Sequence, residues 1–424
     1  MLYSKPITEK RKIRLPLPAA PSPEDSEIMS AAVKTVPPEA RRARLATFLF
    51  FLMQGVIFSS WASRIPEVKI LLQLNDAQLG GLLLLLPFGQ LFSMPFAEWL
   101  VSRVGSRRVV GYAAAGTALM LCFAGIAIQT GSVTALAVSL FLYGVGMNST
   151  TISVNAQGVS VERRYERSIM AAFHGFLSIG GFLGGIITML MVRWNVSLQT
   201  QYWLTFAAVA AGAAAFHSAL LNQDLKPERR KTGLQFDRTV LILGFVTFGA
   251  MASEGTMFDW SGVFFESVVR CNERFYQLGY VTFMAAVTIG RFTADRLVGR
   301  IGAIRVIRLC GCLVACGMLI AVFFPWLLPA TIGFGIVGLG TSAVVPLCYS
   351  LAGRSRTMAP GAAIAAVSTI SFFGFLLAPP VIGFISHISN LRCAIAFMAI
   401  IGFSSSRLLS FLSEKKVSKE KLDT

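Results

Sequence analysis

The chain has 424 residues, 54% hydrophobic and only 14% charged, with 38 Lys plus Arg against 21 Asp plus Glu. Soluble domains carry about a quarter charged residues, so these proportions argue against one or two water-soluble domains. The net charge of +17 sits in short loops between long apolar runs, not on an aromatic-rich module, which argues against nucleic acid as a partner.

In chain order, residues 1–43 mix Pro16, Pro18, Pro21, Pro23, Pro37 and Pro38 with charge and are expected to form a tail too polar to fold. No apolar stretch of signal-peptide length follows the basic start, and Met29 opens a shorter plausible N-terminus. Six apolar runs follow at 44–63, 78–101, 108–129, 133–155, 168–192 and 200–222. A polar linker at 223–237 carries Lys226, Arg229, Arg230 and Lys231. Six more runs occupy 238–263, 275–294, 305–324, 328–351, 360–386 and 391–412, before a short tail at 413–424. A helix of about 20 such residues crosses roughly 30 Å of hydrocarbon, so the expectation is an all-α membrane protein of twelve transmembrane helices. Continuous apolar blocks without alternation exclude a β-barrel. Of the 38 Lys and Arg, 31 fall on the side of the termini and six on the other, which places both termini in the cytoplasm by the positive-inside rule. The seven Cys lie mostly inside the runs, where neither a disulfide framework nor a metal site is expected. No cofactor is called for.

The halves repeat. Residues 98–109 read EWLVSRVGSRRV and residues 295–306 read DRLVGRIGAIRV, with six of twelve positions identical at an offset of 197. Trp61 and Glu67 pair with Trp260 and Glu266 at an offset of 199, and Gly144 and Gly146 pair with Gly338 and Gly340 at 194. Nearly constant offsets over three pairs of spans identify two copies of one six-span unit.

A six-plus-six plan with a Gly-and-Arg loop after the second span of each half resembles the major facilitator superfamily of secondary transporters. The later part of that family's loop pattern is kept as Arg103, Gly105, Arg107 and Arg108, and again as Arg300, Gly302 and Arg305. Its acidic position holds Ser102 and Gly299, while Glu98 and Asp295 carry a carboxylate four residues earlier, about one helical turn away. The phrases Trp61-Ala-Ser-Arg64-Ile-Pro66, Asn155-Ala-Gln157-Gly158, Glu254-Gly255 and Asp259-Trp260 resemble a bacterial inner-membrane branch similar to the fucose-permease-like proton symporters. The resemblance implies two six-helix bundles, at 44–222 and 238–412, rocking about a central site. It also implies a gate at the matched loops, built from Glu98, Arg103, Arg108, Arg291, Asp295 and Arg300.

Ionisable groups inside spans cost roughly 2.5–3.5 kcal/mol to insert, so each demands a reason. Glu254, deep in the seventh span, is the first candidate for coupling to protons, followed by Asp259 and His174. A carboxylate tied to a neighbouring amide or Arg is the competing reading. Gln54, Phe58 and Trp61 recur at i, i+4 and i+7, a stripe of one amide and two rings that fits a polar, sugar-like solute as well as it fits packing. Asn148, Thr151 and Asn155 form a second polar stripe that lipid would not tolerate. Trp260, the repeat partner of Trp61, joins the candidate binding residues. Arg291 and Asp295, at i and i+4, are expected to pair. Scattered His without a nucleophile or metal cluster argues against an enzyme. The expected activity is proton-coupled movement of a small polar solute by a monomer in the inner membrane. Efflux of amphiphilic compounds, or a non-transporting sensor on the same fold, are the alternatives.

Overall fold

The computed structural model describes residues 37–165, 169–222, 237–355 and 357–411. Most of the expected tails and linker lie outside these residues. Among the described residues all regular structure is helical, and each of the twelve expected spans coincides with helix.

The first half contains α1 (Pro38–Ala62), the short α2 (Ile65–Leu71), α3 (Asp76–Val104), α4 (Ser106–Gln129), α5 (Val133–Tyr165), α6 (Met170–Arg193) and α7 (Leu198–Phe216). The second contains α8 (Arg238–Phe264), α9 (Leu278–Ile301), α10 (Ala303–Phe323), α11 (Leu327–Thr341), α12 (Val344–Ala352), α13 (Pro360–Ile388) and α14 (Leu391–Arg407). Ten of the expected spans are long and apolar enough to cross a membrane. The other two are α7, diluted by Gln199 and Gln201, and α9, which carries Arg291, Asp295, Arg296 and Arg300.

The breaks have local causes. Pro66 is the second residue of α2; it has no N–H to bond the carbonyl one turn back, and its ring crowds that carbonyl, so α1 stops at Ala62. Pro346 does the same to Ser342, which splits the tenth span into α11 and α12. Asn75 and Gln78 close a reciprocal cap on α3, which satisfies two of the donors a helix start leaves open.

The repeat survives in the backbone. Gly105 and Gly302 adopt φ of 93° and 83°, a conformation that costs a side chain strain. Each joins the second helix of its half to the third, and their N–H groups bond the equivalent carbonyls of Val101 and Val298. A Cβ on Gly144 would meet the Leu86 carbonyl, and one on Gly338 would meet that of Phe283, 197 residues on. Gly180 abuts Leu52 as Gly374 abuts Phe248. The same helix pairs thus approach at the same points in both halves, which is how small residues let apolar helices pack closely.

The helices alternate direction between the face that bears Glu39 and Arg407, here the terminal face, and the opposite face. The halves meet along α3 against α13 and α6 against α9. Gly80 lies against Pro379, Gly383 against Asp76, and Gly181 and Gly185 against Met284 and Tyr280.

Candidate functional site

Between the halves lies a cavity of about 280 Å³, at the small end of the range for ligand pockets. α1 contributes Gln54, Gly55 and Phe58, and α8 answers with Met251, Glu254 and Phe258. Both sets sit at the 3–4 residue spacing that puts side chains on one helix face. Gln90, Thr151, Ser178, Tyr280, Arg291, Phe372 and Phe375 complete the polar and aromatic lining.

Glu254 and Arg291 are the two charged residues of this lining. The Glu254 side chain is 12% exposed, and its carboxylate lies 3.7 Å from Arg291 Nη2. Arg291 also donates to Ser178 Oγ and, at 3.5 Å, to the His174 carbonyl. Both acceptors stand on α6, so one guanidinium ties the halves together from within the cavity. The expected pair of Arg291 with Asp295 does not form. The long Arg side chain reaches inward to the buried counter-charge, and Asp295 stays exposed without a partner among the described residues.

Toward the opposite face, the Phe58 and Phe258 rings meet edge to face across the halves, 5.0 Å between centroids. Beyond them lies a charged seal. Lys69 Nζ is 2.8 Å from Asp76 and 3.6 Å from Glu266, and Asp76 also accepts from Ser386 of α13. Gln277 donates across the halves to the Ser63 carbonyl at 3.4 Å. Arg64, 2% exposed, bonds Glu67, the Val196 carbonyl and Gln201 Oε1, which pins the α1–α2 corner to α7. Glu266 sits on a π-helical turn, Phe265–Val269, the kind of widened turn that often marks functional sites. On the terminal face, among the described residues, no hydrogen bond or ion pair crosses between the halves beyond Arg291, and Phe292 is 58% exposed.

The candidates named from sequence divide accordingly. Gln54, Phe58, Glu254 and Arg291 line the cavity. Gln54 donates to Thr151 Oγ1 at 2.6 Å, and its Oε1 is buried without a partner. Asn148 instead donates to Ser93 Oγ on α3 at 3.0 Å, and Asn155 to the Thr151 carbonyl of its own helix. Trp61 and Trp260 are buried at 2% and 0%, packed toward the sealed end outside the lining. Asp259 is buried and off the lining, because five residues from Glu254 turn a helix by about 140°. His174 stands beside the cavity with its ring edge-on to Phe51. Glu98, Arg108 and Arg300 are exposed, and Arg103 lies over the Trp99 ring at 5.7 Å. None of these four reaches the other half.

Sequence reasoning missed the aromatic ring of Phe258, Tyr280 and Phe375, and the seal of Lys69, Asp76 and Glu266. Glu266 carried one signal, its place in the repeat opposite Glu67. The others sit where loop charges and span aromatics are ordinary.

A sequence model of the Major Facilitator Superfamily matches residues 44–359 and, in an overlapping match, 272–424. An uncharacterised MFS-type transporter of Yersinia pestis is 32% identical over 84% of this chain and 92% of its own length. Membrane protein MosC of Rhizobium meliloti is 29% identical over 90% of this chain and 93% of its own. Among solved structures, the nucleoside transporter NupG aligns with a TM-score of 0.69 at 11% identity, over 88% of this chain and 99% of that one. A bacterial homolog of the human lysosomal transporter Spinster, in an inward-facing and occupied conformation, aligns with a TM-score of 0.66 at 14% identity, over 89% of this chain and 98% of that one. These likenesses show the fold, two six-helix bundles.

Proposed function

The chain belongs to the Major Facilitator Superfamily and is a secondary transporter working by alternating access, and we propose that it couples a small polar, sugar-like solute to a proton. It would act in the inner membrane, with both termini in the cytoplasm, as a monomer. The observation that carries the reading is the Glu254–Arg291 pair in the cavity between the halves. A buried carboxylate is stable as an ion only beside its partner. A solute that draws Arg291 away leaves Glu254 to take up a proton, and the two ligands then bias the same conformational equilibrium. Phe58 and Phe258 offer faces for the solute's ring, and Gln54, Gln90 and Thr151 offer bonds to hydroxyls.

The aromatic lining also favours a second reading, efflux of amphiphilic compounds. Proteoliposomes holding the purified chain and a pH-sensitive dye separate the two. Addition of a transported sugar-like solute should move protons with it. Dye efflux without solute-driven proton movement would favour the efflux reading.

A further inference from the structure

From the charge balance of this cavity we infer that the solute is a ring-bearing monoanion, a sugar acid or a similar cyclic carboxylate, whose carboxylate takes the place of Glu254 on Arg291. The inference rests on the proton-coupled reading above and adds the sign of the solute's charge.

The lining holds one anion and one cation, Glu254 and Arg291. The other groups Arg291 touches, Ser178 Oγ and the His174 carbonyl, are neutral acceptors. The titratable groups around the pair are His174 on α6, Asp259 on α8, and Tyr280 and Asp295 on α9. α1, α3, α5 and α13 present only Gln54, Gln90, Thr151 and apolar or aromatic side chains to the cavity. Asp295 is exposed and Asp259 lies off the lining, so neither is the nearby counter-charge. When Glu254 takes a proton, Arg291, whose side chain is 31% exposed, keeps its charge and is left with neutral partners. A cation in a mostly apolar cavity without its counter-charge is unfavourable.

The sign of the solute then decides the outcome. A neutral sugar leaves Arg291 unpaired, and an amine adds a second positive charge beside it. A monoanion restores the pair, and the planar guanidinium accepts a carboxylate through two parallel bonds. The rest of the lining suits the remainder of such a molecule: Phe58, Phe258 and Phe375 for a ring, and the unpartnered Gln54 Oε1 for a hydroxyl. One proton and one monoanion carry no net charge, so their joint flux responds to a pH gradient and not to membrane voltage.

The test is thermal stabilisation of the purified full chain by D-glucuronate, D-galacturonate and cyclohexanecarboxylate, against D-glucose, L-fucose and D-glucosamine, near pH 6 and near pH 8. At least one of the acids should raise the melting midpoint, more strongly at the lower pH, while the neutral sugars and the amine do not. Glu254→Gln should bind that acid at the higher pH about tenfold tighter than wild type, and Arg291→Gln should lose about tenfold or more, partly regained in Arg291→Lys. Unliganded melting and gel-filtration profiles identify any variant that fails to fold, and the wild-type panel stands without them. Stabilisation by a neutral sugar or the amine but by no acid, no response to any acid at either pH, or full acid binding in a folded Arg291→Gln would each overturn the inference. Accumulation of a neutral sugar driven by a pH gradient would overturn it too, yet leave proton-coupled transport standing.

Discussion

The two faces of the molecule are built from the same repeat and do opposite things. On the opposite face the halves are bolted together by Lys69 between Asp76 and Glu266, by Ser386 on Asp76, and by glycine contacts that bring α3 against α13. On the terminal face the duplicated loops keep their shared backbone, with Gly105 and Gly302 in matching positive-φ conformations, but their charges do not meet. Shared sequence therefore preserves the loop backbone, while the contacts that join the halves are concentrated at the opposite face.

The sealed face is most sensitive at Gly383. A Cβ there meets the Asp76 carbonyl, and overpacking costs about 1–3 kcal/mol. Gly383→Val should therefore move the equilibrium away from the sealed state by about tenfold or more. Labelling of a Ser63→Cys reporter by an impermeant maleimide, above the background of the native cysteines, should rise by that factor, and transport should fall. Lys69→Gln comes next. It leaves Asp76 and Glu266 facing each other without their cation, and the same reporter should label several-fold faster, up to about tenfold. Glu266→Gln should do less, since Glu266 is the more distant partner.

Gly105→Ala and Gly302→Ala test the symmetric side. Each forces a Cβ into a strained conformation at about 1 kcal/mol or more, and the two should lower the melting midpoint alike. A much larger loss at one site would show that the loops have stopped being equivalent. The smallest effect belongs to Glu98→Ala and Asp295→Ala. Both carboxylates are exposed and without a partner among the described residues, so each variant should slow transport two- to three-fold, about 0.4–0.7 kcal/mol, with solute affinity unchanged. A large loss of binding in either would place that residue in the site.

The fold was readable because its causes are local. Long apolar runs, Pro66 and Pro346, and the repeated Gly-and-Arg loops each act within a few residues of themselves. The site was only partly readable. Glu254 stood out because a carboxylate in an apolar run is costly to insert, with a tie to a neighbouring Arg as the competing reading, and Gln54 with Phe58 followed from helical spacing. Arg291 was seen, but with the wrong partner: Asp295 is four residues away in sequence, whereas Glu254 comes from another helix. The same limit hid the link from Lys69, already beside Asp76, to Glu266, which belongs to the other half and meets Lys69 only in three dimensions. Asn148 shows the converse. Its polar stripe was real, yet Ser93 of a neighbouring helix was there to satisfy it.

On the proposed mechanism, Glu254 carries the proton that drives transport. Glu254→Gln keeps the shape of the protonated side chain and removes its titration. In reconstituted vesicles it should exchange solute across the membrane near the wild-type rate, while accumulation driven by a pH gradient disappears. Gradient-driven accumulation at the wild-type level in Glu254→Gln would contradict the account and move the coupling proton elsewhere, with Asp259 and His174 the next residues to substitute.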